Sequence, residues 1–69
     1  MTVIDSRDCT WYFDPNAMRF RSICEGAGGM KRKSPWLPYR RLIADGRNRF
    51  VIVLDRAESR TLRFVGTRR

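Results

Sequence analysis

Residues 9–24 read CTWYFDPNAMRFRSIC, two runs of β-forming residues on either side of the turn sequence Asp14-Pro15-Asn16-Ala17. Proline presets a turn dihedral, and Asp and Asn side chains satisfy nearby backbone groups. In the second run, from Met18 to Cys24, apolar and polar residues alternate as they do in a half-buried strand. This stretch therefore predicts a β-hairpin.

Alternation along the two strands assigns their side chains to opposite faces. Arg19 and Arg21 should lie beside Tyr12 on one face, and the aromatic residues of the other face should form core contacts across the hairpin. The aromatic residues expected in the core of the whole domain are Trp11, Phe13, Phe20, Phe50 and Phe64.

The rest of the chain adds three more strand candidates. Residues 37–44 are β-forming, with Pro38 placing their beginning at a sheet edge. The turn sequence at 45–48, which contains Gly46, leads into residues 49–54. That segment holds a continuous apolar run and should form a central strand covered on both faces. Residues 60–65 alternate again, with Leu62 and Phe64 expected to point inward and Arg63 outward.

These segments predict an all-β domain, a small five-stranded antiparallel meander. A sheet of this size covers its core either by curling into a barrel of SH3 or OB size or by twisting strongly. Sixty-nine residues form a single domain. Residues 1–8 are expected to be a polar lead-in, residues 25–36 a flexible basic loop, and residues 66–69 a basic tail.

Cys9 and Cys24 are the only cysteines. No signal-peptide-like or membrane-spanning segment is visible, which predicts a cytoplasmic protein. In a reducing compartment the two residues should be free, buried thiols, although strand alternation places both on the Trp11 face, where an oxidised pair would close the open end of the hairpin.

Charge is the strongest indication of function. Lys and Arg account for fifteen residues, and the net charge is +8. Residues 30–69 hold twelve of these cations and only three of the seven acids. Such an excess indicates a polyanionic partner, either nucleic acid or an acidic protein surface.

Several classes of function lack the residues they need. The chain has no His, and its acids are scattered among turns, so we expect no enzyme activity. Two Cys without His do not complete a zinc site, and the glycine-rich segment 25–36 lacks the Gly-Lys-Ser/Thr ending of a phosphate loop. We therefore expect no metal, cofactor or small-molecule substrate, and no membrane association.

The candidate binding residues combine cations with interleaved aromatic side chains, as in proteins that bind single strands on a β surface. Polar strand faces and solvated arginine stems are the ordinary alternative explanation. The candidates are Arg19, Arg21, Lys31, Arg32, Lys33, Arg40, Arg41, Arg47, Arg49, Arg63, Arg68 and Arg69, with Tyr12, Trp36 and Tyr39.

Two functions follow from this set of residues. One is nucleic-acid binding, mainly through phosphate contacts and with weak sequence preference. The other is a protein-binding regulator or inhibitor that docks on an acidic surface of a larger machine, such as a polymerase, nuclease or ribosome. Self-association with a structural role is a third alternative, and the sequence does not determine the oligomeric state.

Overall fold

A computed structural model describes all 69 residues and contains nine short strands. They are β1 (Thr2–Asp5), β2 (Cys9–Asp14), β3 (Arg19–Glu25), β4 (Lys31–Lys33), β5 (Leu37–Pro38), β6 (Arg41–Ala44), β7 (Arg49–Val53), β8 (Thr61–Val65) and β9 (Thr67–Arg68). A 3₁₀ turn over Ala27–Gly29 precedes β4. All pairings are antiparallel, which confirms the predicted all-β antiparallel class.

The strands form two sheets that are joined by short connections. The larger sheet has the order β4-β3-β2-β1-β9, with β5 also paired to β3, and the smaller has the order β6-β7-β8. Only Gly66 separates β8 from β9, and only Tyr39 and Arg40 separate β5 from β6. The chain thus passes from one sheet into the other on both sides and curls around its core, in keeping with the barrel alternative.

More strands are present than the side-chain pattern predicted. The expected lead-in (1–8) contains β1, the expected flexible loop (25–36) contains β4, and the expected tail (66–69) contains β9. The reason is that β4 and β9 are held by backbone pairing to β3 and β1, while their own side chains are exposed. Pairing of this kind leaves little trace in side-chain alternation.

The hairpin of β2 and β3 has the predicted division of side chains between its two faces. Phe13 lies directly opposite Phe20, with ring centroids 5.7 Å apart, and Tyr12 lies opposite Arg21. At the turn, one Asp14 carboxylate oxygen accepts hydrogen bonds from the backbone N–H groups of Asn16 (3.1 Å) and Ala17 (3.3 Å). The turn residues therefore act as the sequence indicated.

Strand β7 is the centre of the smaller sheet, and its residues Phe50–Val53 are buried on both faces, as predicted. Phe50 and Ile52 point into the core. Val53 lies opposite Arg41, and Val51 lies opposite Arg63, so arginine stems are the outer neighbours of these valines.

Tyr39 belongs to the core, which corrects its prediction as a partner-contact residue. Its ring is only 6% exposed and makes edge contacts with Phe13 (5.5 Å between centroids) and Phe20 (6.0 Å). Burial raises the pKa of the Tyr39 phenol, and the nearby Asp14 acts in the same direction. The core cluster consists of Ile4, Phe13, Phe20, Tyr39, Phe50 and Ile52, with Trp11, Leu42, Leu54 and Phe64 packed against it.

Cys9 and Cys24 form a disulfide, so the prediction of free thiols is wrong. The two residues lie directly opposite each other on β2 and β3, at the open end of the hairpin. The sequence placed them on one face but did not determine their oxidation state. Disulfides persist in oxidising compartments, so this feature does not support the cytoplasmic location, which stays a prediction.

We expect Gly66→Ala to destabilise the fold by about 1–3 kcal/mol, the usual cost of overpacking a close contact. A Cβ atom at Gly66 would lie 2.7 Å from the backbone oxygen of Asp5, which cannot move without disturbing β1. Thermal unfolding followed by circular dichroism measures the effect. Gly26→Ala is the matched control, because its Cβ would make only an ordinary 3.6 Å contact. Equal melting temperatures for the two variants would contradict the close approach of Gly66 to the Asp5 backbone.

Loss of the Cys9–Cys24 disulfide should lower the free energy of unfolding by about 3 kcal/mol, the entropic value for a closed loop of roughly this length. Guanidinium unfolding of the oxidised protein and of the Cys9→Ser/Cys24→Ser variant measures this difference. Mass spectrometry after thiol alkylation without reductant should show no modified cysteine. Full alkylation of the folded protein would contradict the disulfide.

Candidate nucleic-acid interface

The outer face of the larger sheet brings together part of the predicted site. Residues directly opposite each other on paired strands point to the same face. The pairs Val3–Tyr12 and Tyr12–Arg21 therefore form one row across β1, β2 and β3, on the side away from Phe13 and Phe20. This row confirms the predicted placement of Arg21 beside Tyr12.

A bulge at Ser34–Trp36 extends this row beyond β3. Strands β4 and β5 both pair with β3, at Ile23–Glu25 and at Arg19–Phe20, and the chain between them leaves the ladder. Ser34 anchors the bulge: its N–H donates to the Ser22 carbonyl oxygen (2.8 Å), and its Oγ accepts from the Ser22 N–H (2.9 Å). The bulge therefore has a defined position beside β3.

Arg21 is held by the same bulge. Its Nε and Nη2 atoms donate to the Ser34 carbonyl oxygen, at 3.2 and 3.0 Å. Ser34 was not among the predicted site residues. It acts through its backbone N–H and carbonyl groups and its hydroxyl, and no sequence pattern indicates such a role. It is a positioning residue for this part of the surface.

Trp36 lies against two arginines of β3. The guanidinium carbon of Arg19 is 4.7 Å from the centre of the indole ring, and that of Arg21 is 5.2 Å from it. Both distances are within the range of cation–π attraction. Trp36 is half-buried, so part of its ring surface remains open to solvent.

The three cations of β4 lie next along the chain before the Ser34–Trp36 bulge, and all three are exposed. Lys33 lies opposite Ile23, and Lys31 lies opposite Glu25, which places both lysines on the same outer face. Arg32 lies opposite Cys24 and points the other way. We name the set Tyr12, Arg19, Arg21, Lys31, Lys33 and Trp36 the sheet-face cluster.

The other predicted cations lie elsewhere. Arg41 pairs with Glu58, and Arg63 lies 3.6 Å from Asp45, both on the smaller sheet. The guanidinium of Arg49 packs over Gly46 in the neighbouring turn, which also contains Arg47. Arg40 lies in the short crossing between β5 and β6. Arg41, Arg49 and Arg63 lie on the outer face of the smaller sheet, whereas the sheet-face cluster lies on the larger sheet, so the predicted cations do not form one continuous site.

Residues 67–69 are bound to β1. Arg69 forms a two-point ion pair with Asp5, through Nε (2.8 Å) and Nη2 (3.1 Å), and its N–H donates to the Val3 carbonyl oxygen. The prediction of residues 66–69 as a basic tail is therefore corrected: Arg68 is an exposed residue of β9, and Arg69 is engaged with β1.

The remaining structural features and the comparisons with known proteins give no further indication of function. The structure contains no helix with the length and apolar character needed to cross a membrane. It has no group of three or more His, Cys, Asp or Glu side chains arranged to hold a metal ion. Comparisons with protein-family models, curated proteins and solved structures gave no match.

The Asp5–Arg69 ion pair should make the stability of the domain fall at acid pH. The hydrogen bonds from Arg69 hold the pKa of the Asp5 carboxyl below its ordinary value of 3.8. A depressed carboxyl pKa contributes stability above the unfolded-state pKa, and that contribution is lost as the pH falls through the folded-state pKa. NMR titration of the Asp5 side chain should give the low value, and Arg69→Ala should return it towards 3.8. An unchanged midpoint in Arg69→Ala would contradict the pairing.

Proposed function

We propose that this domain binds nucleic acid, mainly through phosphate contacts and with weak sequence preference. The observation that carries the proposal is the sheet-face cluster, in which four cations and two aromatic side chains share one outer surface. Arginine donates two parallel hydrogen bonds to a phosphate and also stacks on planar groups, whereas lysine adds a point charge. The combination suits a partner with both a charged backbone and planar bases.

The charge balance of the cluster supports this proposal. Arg19 is its only member with an ion-pair partner, Asp14, at 3.6 Å, with the Arg19 side chain exposed and the Asp14 side chain partly exposed. Exposed ion pairs of this kind contribute little to stability, and a phosphate can replace the carboxylate. The domain as a whole carries a net charge of +8, which attracts a polyanion before any contact forms.

Weak sequence preference follows from how the cations are placed. Direct readout of bases uses a helix or a β-ribbon inserted into the major groove. The cations of the cluster instead project from the face of a curled sheet, which has no helix to insert. Contacts from such a surface reach phosphates and sugars, and these contacts position a nucleic acid without reading its sequence.

Salt-dependent affinity tests the proposal directly. If each of the four cations in the sheet-face cluster neutralises one phosphate, log K should fall with log salt at a slope of about −4 on duplex DNA and about −3 on single strands. Fluorescence anisotropy with labelled oligonucleotides, titrated from 50 to 200 mM salt, measures both affinity and slope. Dissociation constants weaker than about 10 μM at 50 mM salt would reject the proposal, because that value is in the middle of the range for non-specific binding at physiological salt and lower salt strengthens such binding.

Two double variants separate a located interface from general attraction. Lys31→Ala/Lys33→Ala removes the two β4 cations of the sheet-face cluster, and Arg41→Ala/Arg63→Ala removes two cations of the smaller sheet. Both variants lose the same charge, but we expect only the first to weaken binding strongly and to reduce the salt slope by about 2, near 0.9 per lost contact. Equal losses would indicate that net charge alone determines binding.

A second candidate function is a protein-binding regulator or inhibitor that docks on an acidic surface of a polymerase, nuclease or ribosome. It is favoured by the outer face of the smaller sheet, where Val65 is 66% exposed and lies opposite Arg49. Arginine beside apolar residues is common at binding hot spots. Affinity capture from nuclease-treated lysate tests this candidate. A discrete protein that remains bound after the treatment supports docking, and partners lost on treatment support nucleic-acid binding.

A further inference from the structure

The row of side chains on the larger sheet contains aromatic and cationic groups in alternation. Tyr12 on β2 is followed by Arg21 on β3 and then by Trp36 in the bulge. Because neighbouring strands lie about 4.8 Å apart, the two aromatic residues are separated by roughly two strand spacings, about 10 Å. Arg19 and Lys33 occupy the rows on either side of Arg21.

We infer that the ligand of this surface is single-stranded nucleic acid, with one base stacked on Trp36 and a second against Tyr12. The inference rests on the proposed function and adds the strandedness of the partner and the residues that contact its bases. Bases of a single strand are free to turn out and stack on aromatic side chains, and any base can do so because each has a π face. This mode of binding is consistent with weak sequence preference.

A duplex would leave the two aromatic residues without a role. Its bases are stacked on one another, and a protein reaches only their edges, through the grooves. Neither Tyr12 nor Trp36 projects from an inserted helix or ribbon, since both lie on the outside of the curled sheet. A single strand laid across this face presents base planes to the aromatic residues and phosphates to the arginines.

Trp36 is positioned before any ligand arrives. Arg19 and Arg21 contact the indole, Ser34 ties the bulge to Ser22, and Pro35 restricts the backbone immediately before Trp36. A side chain already held in place loses less conformational freedom on binding. Arg21 donates Nε–H and one Nη2–H to the Ser34 carbonyl oxygen, which leaves the two Nη1 hydrogens and the second Nη2 hydrogen for a phosphate.

Fluorescence of the unmodified protein provides the first test. The domain has two tryptophans, and Trp11 is partly buried against the core, where it stacks on Phe64 with ring centroids 4.4 Å apart. Adding an oligo(dT) of twelve nucleotides at 50 mM salt should quench the fluorescence emission of Trp36. The same titration of Trp36→Phe, which keeps only Trp11, should show almost no change. A quench of equal size in Trp36→Phe would overturn the inference.

Affinity measurements with oligo(dT) and with a duplex of the same length provide the second test. We expect Trp36→Ala to weaken single-strand binding about tenfold and to leave duplex binding within about twofold, with Trp36→Phe restoring most of the loss. Met30→Ala is the control, because it removes an exposed apolar side chain beside β4 that lies outside the cluster. Circular dichroism verifies that each variant is folded.

The outcomes distinguish failure of the inference from failure of the proposed function. Equal binding of duplex and single strand, with no effect of Trp36→Ala, would overturn the single-strand assignment and leave phosphate-mediated binding intact. A loss of equal size on both ligands would also overturn it, because Trp36 would then act only by holding the arginines. Absence of binding to either ligand by the unmodified protein would reject the proposed function and the inference together.

Discussion

The contact between Phe13 and Phe20 sets the register of the β2–β3 hairpin, and much of the domain depends on that register. Side chains alternate along a strand with a period of two, so a slip of one residue would exchange the two faces. Trp11 and Phe13 would then face solvent, and Tyr12 would enter the core. The burial of Phe13 and Phe20, each almost completely removed from water, opposes such a slip.

The same register creates the candidate interface. When Trp11, Phe13 and Phe20 occupy the inner face, the residues next to them along each strand must occupy the outer face, and these include Tyr12, Arg19 and Arg21. A polar outer face is required by the fold, and Arg is a suitable residue for it. The fold does not require a tryptophan held against two of those arginines by a bulge in the neighbouring chain. That additional feature distinguishes this surface from the arginine-lined face of the smaller sheet.

Sequence reasoning predicted the features that depend on local pattern. The β2–β3 hairpin, the turn at 45–48 and the buried central strand β7 each follow from alternation, turn residues or an apolar run. Features that depend on distant pairing were missed: β4 and β9 are held by backbone hydrogen bonds to other strands, and Tyr39 is buried because the chain crosses between sheets beside it. The oxidation state of the cysteines depends on surroundings that composition does not specify.

The sequence predicted only part of the candidate site. The pairing of Tyr12 with Arg21 followed from strand alternation, but the approach of Trp36 to Arg19 and Arg21 did not, because it depends on where β4 and β5 rejoin β3. The count of arginines suggested one basic surface. The structure divides them between two outer faces and ties several to carboxylates.

The pairing of β1 with β9 brings Ile4 and Asp5 beside Arg68 and Thr67, across nearly the whole length of the chain. Contacts between such distant residues slow folding, because the loop they close must lose its conformational freedom before the contact stabilises it. On a ribosome, the hairpin of β2 and β3 can form while later residues are still being added. The β1–β9 pairing must wait until residues 67 and 68 have emerged. Until then, the edge of β1 at Ile4 has no partner strand.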